Sequence, residues 1–302
     1  MTVRPLILYI PGLMPKPEPR QHRDALFRCL IAGIRRYDER TALDIAANLH
    51  CFDVVSWTYD FYQVHRDFNI DADSVDELIE KGRAARRDLA QARSWRRRFA
   101  RRVFLFADLL PFLIPHVANE RMEVHLRDLN RYVRNRNDIA DRVRRMLKIP
   151  LRAAHETGRP ICLLAHSMGS VIAYDALWQM FHEDGDEAKI DLLATMGSPL
   201  GQNYIQKRLL GGAEEGQRRY PGNIGHWVNL SAVGDLTAID PTLADDFAEM
   251  QSLGLVERIE DLRLDNWFRL DGELNVHAEY GYLANTKTAR LVANWWRLQQ
   301  SS

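Results

Sequence analysis

The segment from Ile161 to Leu177, I-C-L-L-A-H-S-M-G-S-V-I-A-Y-D-A-L, constrains this chain more than any other. Its first four residues, Ile161 to Leu164, form an apolar run of strand length, and Pro160 bars a helix from entering it. A strand that is apolar at every position is buried on both faces, so it lies inside a sheet. Apolar residues then recur at helical spacing through Val171, Ile172, Tyr174 and Leu177. Between strand and helix stands Ser167, with Ala165 two residues before it and Gly169 two after. So tight a turn forces its central residue into a strained backbone conformation, and bulk two positions away would hold strand and helix apart. A serine pushed outward there is a candidate nucleophile. Its chemistry then requires a histidine base, a carboxylate to orient that histidine, and N–H donors for an oxyanion.

The flanking pattern extends the strand into a sheet. Leu6 to Ile10 is a second apolar run, stopped by Pro11-Gly12. Ala25, Leu26, Cys29, Leu30, Ile31 and Ile34 follow with helical spacing, and Val54, Val55 and Trp57 offer the next strand. Strand, helix and strand in succession predict an α/β fold with a mostly parallel central sheet flanked by helices. Further strands are expected at Ile190 to Met196, Trp227 to Leu230 and Ile259 to Leu264, and a final amphipathic helix at Ala289 to Leu298. An α/β crossover is short, so the Arg-rich, helix-patterned stretch 61–148 is predicted to be an inserted cap or lid on a core made of 1–60 and 149–302. Arg131 to Met146 is expected to return the chain to the central strand as one helix.

The 41 basic and 41 acidic residues balance, so no global charge argues for nucleic acid. Three scattered cysteines are too few for a disulfide framework, and the chain enters an apolar strand with no secretory leader, so a cytoplasmic protein is expected. Charge is nevertheless uneven. Lys81 to Arg102 is strongly basic and is read as a solvated face or as a partner for the acidic stretch Asp235 to Asp265. The apolar run after it, Val103 to Val117, is too short to span a membrane and is broken by Asp108, Pro111 and Pro115. Phe104, Phe106, Leu110 and Phe112 of that run are predicted to line a substrate pocket or lid, and the basic and apolar segments together suggest a peripheral membrane contact.

Catalytic groups in a parallel sheet gather beyond the C-terminal ends of strands. Asp235 meets this test after W-V-N-L-S-A-V-G-D, where Gly234 permits a sharp exit, with Asp240 as its nearest rival. His277 meets it in L-N-V-H-A-E-Y, between the last predicted strand and the final helix. His166 adjoins the nucleophile and cannot fold back to it, and His226 precedes its strand at the wrong end. No pair of histidines has metal-ligand spacing with a third ligand in register, so neither metal nor other cofactor is expected.

The A-H-S-M-G elbow and the order Ser167, Asp235, His277 resemble the α/β-hydrolases, in the alanine-first form of some small bacterial lipases. M-G-S-P-L at Met196 to Leu200 and H-x-x-Y at His277 to Tyr280 add to the resemblance, which covers Leu6 to Tyr59 and Ile161 onward. Many members carry His-Gly after the first strand, where this chain has Pro11-Gly12. The resemblance implies a serine hydrolase that cleaves a carboxylic ester of a small molecule or lipid through an acyl-enzyme on Ser167. His277 would be the base, Asp235 its orienting acid, and the N–H groups of Met168 and Leu13 the oxyanion donors. The alternatives are a thioesterase or acyltransferase using the same three residues, and a non-catalytic interaction protein that keeps the fold.

Overall fold

A computed structural model describes residues 4–101, 120–186 and 188–300, with the backbone alone at 120–126. Phe104, Phe106, Leu110 and Phe112, the pocket and lid candidates, lie outside the described residues, as does the whole apolar run Val103 to Val117.

Six strands form one wholly parallel sheet in the order β2-β1-β3-β4-β5-β6. They span Leu6–Ile10, Phe52–Val54, Ile161–His166, Ile190–Met196, Ile224–Ala232 and Arg258–Leu264, numbered β1 to β6 along the chain. Burial follows position. β1 and β3 are buried at every residue, whereas the edge strands β2 and β6 carry exposed or half-buried positions. A small antiparallel hairpin, Arg269–Leu270 with Glu273–Leu274, separates β6 from His277.

Side chains alternate across the sheet and divide the core in two. Leu8, Ile10, Leu163 and Ala165 face one apolar layer, with Val143, Leu147 and Leu151 of helix Ile139–Glu156 and Val171 and Ile172 of helix Met168–His182. Ile7, Tyr9, Cys162 and Leu164 face the other, with Leu26, Leu30 and Ile34 of helix α1 (Pro19–Tyr37) and Val292 and Trp296 of the last helix, Thr286–Gln300.

Two expectations need correction. Trp57 is not in a strand, since β2 ends at Val54 and Trp57 begins the short helix Thr58–Tyr62, its indole N–H donating to Pro11 O at 2.9 Å. The return segment is not one helix: Glu120–Val133 stops, and a new helix runs Ile139–Glu156. Asn135, Asn137 and Asp138 adopt positive φ between them, a conformation that Asn and Asp tolerate better than other residues with side chains.

Three cysteines, Cys29, Cys51 and Cys162, are unpaired and buried. Among the described residues no helix is long and apolar enough to cross a membrane.

Candidate active site

The chain starts at β1, moves outward to β2, then returns to β3 on the opposite side of β1. Such a reversal opens a crevice beyond the C-terminal ends of the two central strands. Ser167 stands there, at the junction of β3 and helix Met168–His182, with φ 54° and ψ −126°. A positive φ in a non-glycine residue costs about 1–3 kcal/mol and persists only when surroundings hold it. Here the Ser167 N–H donates to Met196 O (2.9 Å), while its carbonyl accepts the Ser170 N–H (3.0 Å) and hydroxyl (2.6 Å). Ser170 Oγ in turn meets Ser198 Oγ at 2.7 Å, tying the turn to the loop after β4.

Close packing explains the small residues. A Cβ on Gly169 would stand 2.5 Å from Ile10 O, so only glycine lets the helix approach the exit of β1. A Cβ on Gly12 would stand 2.6 Å from Ser167 Cβ and 3.1 Å from its Oγ. The loop after β1 therefore lies directly against the Ser167 side chain, with Leu13 next in line. Neither the Leu13 nor the Met168 backbone N–H has an acceptor among the described residues.

His277 and Asp235 complete a hydrogen-bonded chain. His277 Nε2 lies 2.9 Å from Ser167 Oγ, and His277 Nδ1 lies 2.8 Å from Asp235 Oδ2. Asp235 is buried, which alone would raise its pKa. The charge and hydrogen bond of His277, the Tyr282 hydroxyl on Oδ2 (2.7 Å) and the Thr237 N–H on Oδ1 (2.9 Å) outweigh burial and hold the carboxyl below its ordinary value. An ionised carboxylate only accepts, so Nδ1 carries the proton of the neutral ring and Nε2 turns its lone pair to the serine hydroxyl.

The rivals are elsewhere. Asp240 accepts from the Thr242 N–H (3.0 Å) and hydroxyl (2.6 Å) and serves its own turn. His226 sits near the start of β5, 2.9 Å from Glu260 Oε1. His166 is buried and donates through Nε2 to His277 O at 2.9 Å. Burial first, and then the neighbouring His277, push its pKa down to about 3, so this ring stays neutral.

Residues that spacing did not reveal also hold the site. Tyr282, not Tyr280 of the H-x-x-Y segment, reaches the acid, and it also accepts the Ala232 N–H at 2.8 Å. Arg97 of the predicted insertion donates to Gly234 O (3.0 Å) and to Leu274 O (3.1 Å), bridging the chain before Asp235 to the chain before His277. Arg101 donates to Ile239 O at 2.9 Å, and Arg93 pairs with Asp265 at 3.5 Å. The basic stretch thus engages the acidic one at the Ile239 carbonyl and the Asp265 carboxylate, and the chain outside it at the Gly234 and Leu274 carbonyls. Arginine at four-residue intervals was the available signal, but its partners lie 137 residues or more away in the chain.

Among the described residues no cluster of three His, Cys, Asp or Glu side chains is arranged to hold a metal ion. Compared with known protein families, curated proteins and solved structures, the chain matches none.

Proposed function

We propose that the protein is a serine hydrolase of the α/β-hydrolase type that cleaves a carboxylic ester through an acyl-enzyme on Ser167. The observation that carries this is the continuous relay from Ser167 Oγ through both ring nitrogens of His277 to the buried Asp235, at 2.9 and 2.8 Å. His277 removes the hydroxyl proton as Ser167 attacks the acyl carbonyl, and Asp235 stabilises the resulting imidazolium. The oxyanion forms against the Met168 N–H, at the positive end of its helix, and the Leu13 N–H. Collapse of the tetrahedral adduct expels the alcohol, which takes the proton from His277. Water, deprotonated by the same ring, then releases the acid and frees Ser167.

On this proposal residues 1–60 and 149–302 are the hydrolase core and 61–148 its cap, in a cytoplasmic protein with free thiols. The substrate is a small-molecule or lipid ester. Peripheral contact with an anionic membrane belongs to the same proposal. Its support is that Trp95 and Phe99 are exposed on one helix face, while exposed Arg83, Arg86, Arg87, Arg96 and Arg98 make no ion pair among the described residues. Flotation with vesicles containing phosphatidylserine tests it: binding at low salt that is lost in Trp95→Ser/Phe99→Ser supports contact, and no binding removes it.

Hydrolysis of p-nitrophenyl esters of graded acyl length tests the reaction. Turnover by the native protein, reduced by three orders of magnitude or more in Ser167→Ala, supports the hydrolase. Equal turnover by the two proteins refutes it.

A further inference from the structure

The relay leaves one buried charged cluster unused. Glu279 opens the helix Glu279–Ala284, two residues after His277, and is almost wholly buried. Its Oε1 accepts from Lys16 Nζ (2.9 Å) and His22 Nε2 (3.0 Å), and its Oε2 accepts from the Tyr9 hydroxyl (2.8 Å). Oε2 also lies 4.0 Å from His166 Nδ1, a buried nitrogen with no hydrogen-bond partner among the described residues. His166 immediately precedes Ser167, and its other nitrogen holds the His277 carbonyl.

The partners come from distinct elements of the fold. Tyr9 is on β1 and His22 on α1. Lys16 belongs to the loop after β1 that carries Gly12 and Leu13. That loop is gripped again from outside, where Lys16 O accepts the Arg66 N–H (2.9 Å) and Arg66 pairs with the buried Asp71 at 2.7 Å. Asp71 Oδ2 lies 3.5 Å from the Tyr280 hydroxyl, returning to the residue after Glu279. Burying a carboxylate is costly, and an apolar set of the same volume would satisfy packing alone. Burial raises the Glu279 pKa, but Lys16 and then His22 outweigh it and hold the group well below its ordinary range, so the carboxylate is charged at neutral pH.

We infer that Glu279 is a positioning residue: it locks the loop carrying Leu13 to the segment carrying His277, so that oxyanion donor and base are set relative to Ser167 by one carboxylate. The lock is a matter of contacts. Its catalytic consequence rests on the hydrolase proposal, and the two are separable by experiment.

Amide hydrogen exchange on the full chain reads the lock directly. Glu279→Gln keeps the side-chain volume, and Lys16→Gln attacks the same contact from its more accessible end. Both variants are expected to speed exchange in residues 11–17 and in 274–280 together, leaving β4 and β5 unchanged. The rate of Ser167 phosphonylation by a fluorophosphonate is expected to fall by on the order of tenfold to a hundredfold, the scale of a misplaced reacting group. Lys16→Arg, which keeps a cation there, recovers the rate lost in Lys16→Gln. Exchange that rises in only one of the two segments overturns the inference, as does an unchanged phosphonylation rate with both segments loosened. A native protein that takes no label instead refutes the hydrolase, and the exchange pattern alone then decides whether Glu279 couples the segments.

Discussion

The sharpest perturbation is a single methyl group at Gly12. In Gly12→Ala the new Cβ would stand 2.6 Å from Ser167 Cβ and 3.1 Å from Ser167 Oγ, with His166 Nδ1 at 3.2 Å. Carbon atoms rest about 3.5–4.0 Å apart, so relief of the closest contact requires a displacement of roughly 1 Å. The atoms in the way are the serine side chain and a ring fixed to His277 O, and the serine is the easier to push. A 1 Å error in a reacting atom costs on the order of a hundredfold in rate, whereas overpacking costs about 1–3 kcal/mol in stability. Gly12→Ala is thus expected to stay folded, with a modestly lowered Tm, while kcat/KM for a p-nitrophenyl ester falls about a hundredfold. Parallel steady-state kinetics and thermal unfolding would decide. Activity within threefold of the native protein would show that the first loop does not abut the nucleophile, and would refute the steric reasoning.

Other substitutions separate the roles. Asp235→Asn should lower kcat by on the order of 10³–10⁴-fold through loss of the correct histidine tautomer, while Asp240→Asn should stay within a few-fold in the same ester assay. Tyr282→Phe strands the buried Ala232 N–H and removes a donor from Asp235, so a loss of about 1–3 kcal/mol is expected in urea unfolding, together with reduced kcat. Arg97→Met should cut kcat roughly tenfold, because it frees the chain before both Asp235 and His277. The pH dependence of stability should carry the mark of His166. Its folded pKa of about 3 lies below the ordinary 6.5, so between those values the unfolded chain binds the extra proton. Its contribution to stability is therefore complete above pH 6.5 and is lost as pH falls toward 3, and unfolding free energies of His166→Gln should show a shallower decline over that range.

The sheet was legible where burial imposes composition. β1 and β4 match their apolar runs because both faces of these strands are covered. β5 begins at Ile224, earlier than Trp227, because Gly225 and His226 near its start interrupt the apolar signal while their backbones still pair with β4 and β6. The break at Asn135 to Asp138 did leave a signal, a run of five polar residues from Arg134 to Asp138 in which two Asn and an Asp favour a turn. At the site, Ser167 and Asp235 announce themselves by following strands of the sheet, a consequence of topology that sequence can express, and His277 by its place between β6 and the last helix, although a hairpin intervenes. Glu279 and Arg97 do not. One is a buried acid whose partners Tyr9, Lys16 and His22 are remote in the chain, and the other bonds only backbone carbonyls, which leave no trace in residue identity. Tyr282 leaves no signal either, because spacing alone cannot say which of two tyrosines on a short helix faces the acid.

The central claim is that the Ser167 hydroxyl is a nucleophile activated by His277. Intact-mass and peptide-level analysis of the protein after reaction with a fluorophosphonate tests it most directly. The expected result is a single covalent adduct on Ser167, absent in Ser167→Ala and formed far more slowly in His277→Ala. An unmodified native protein, or an adduct on some other side chain, would contradict it.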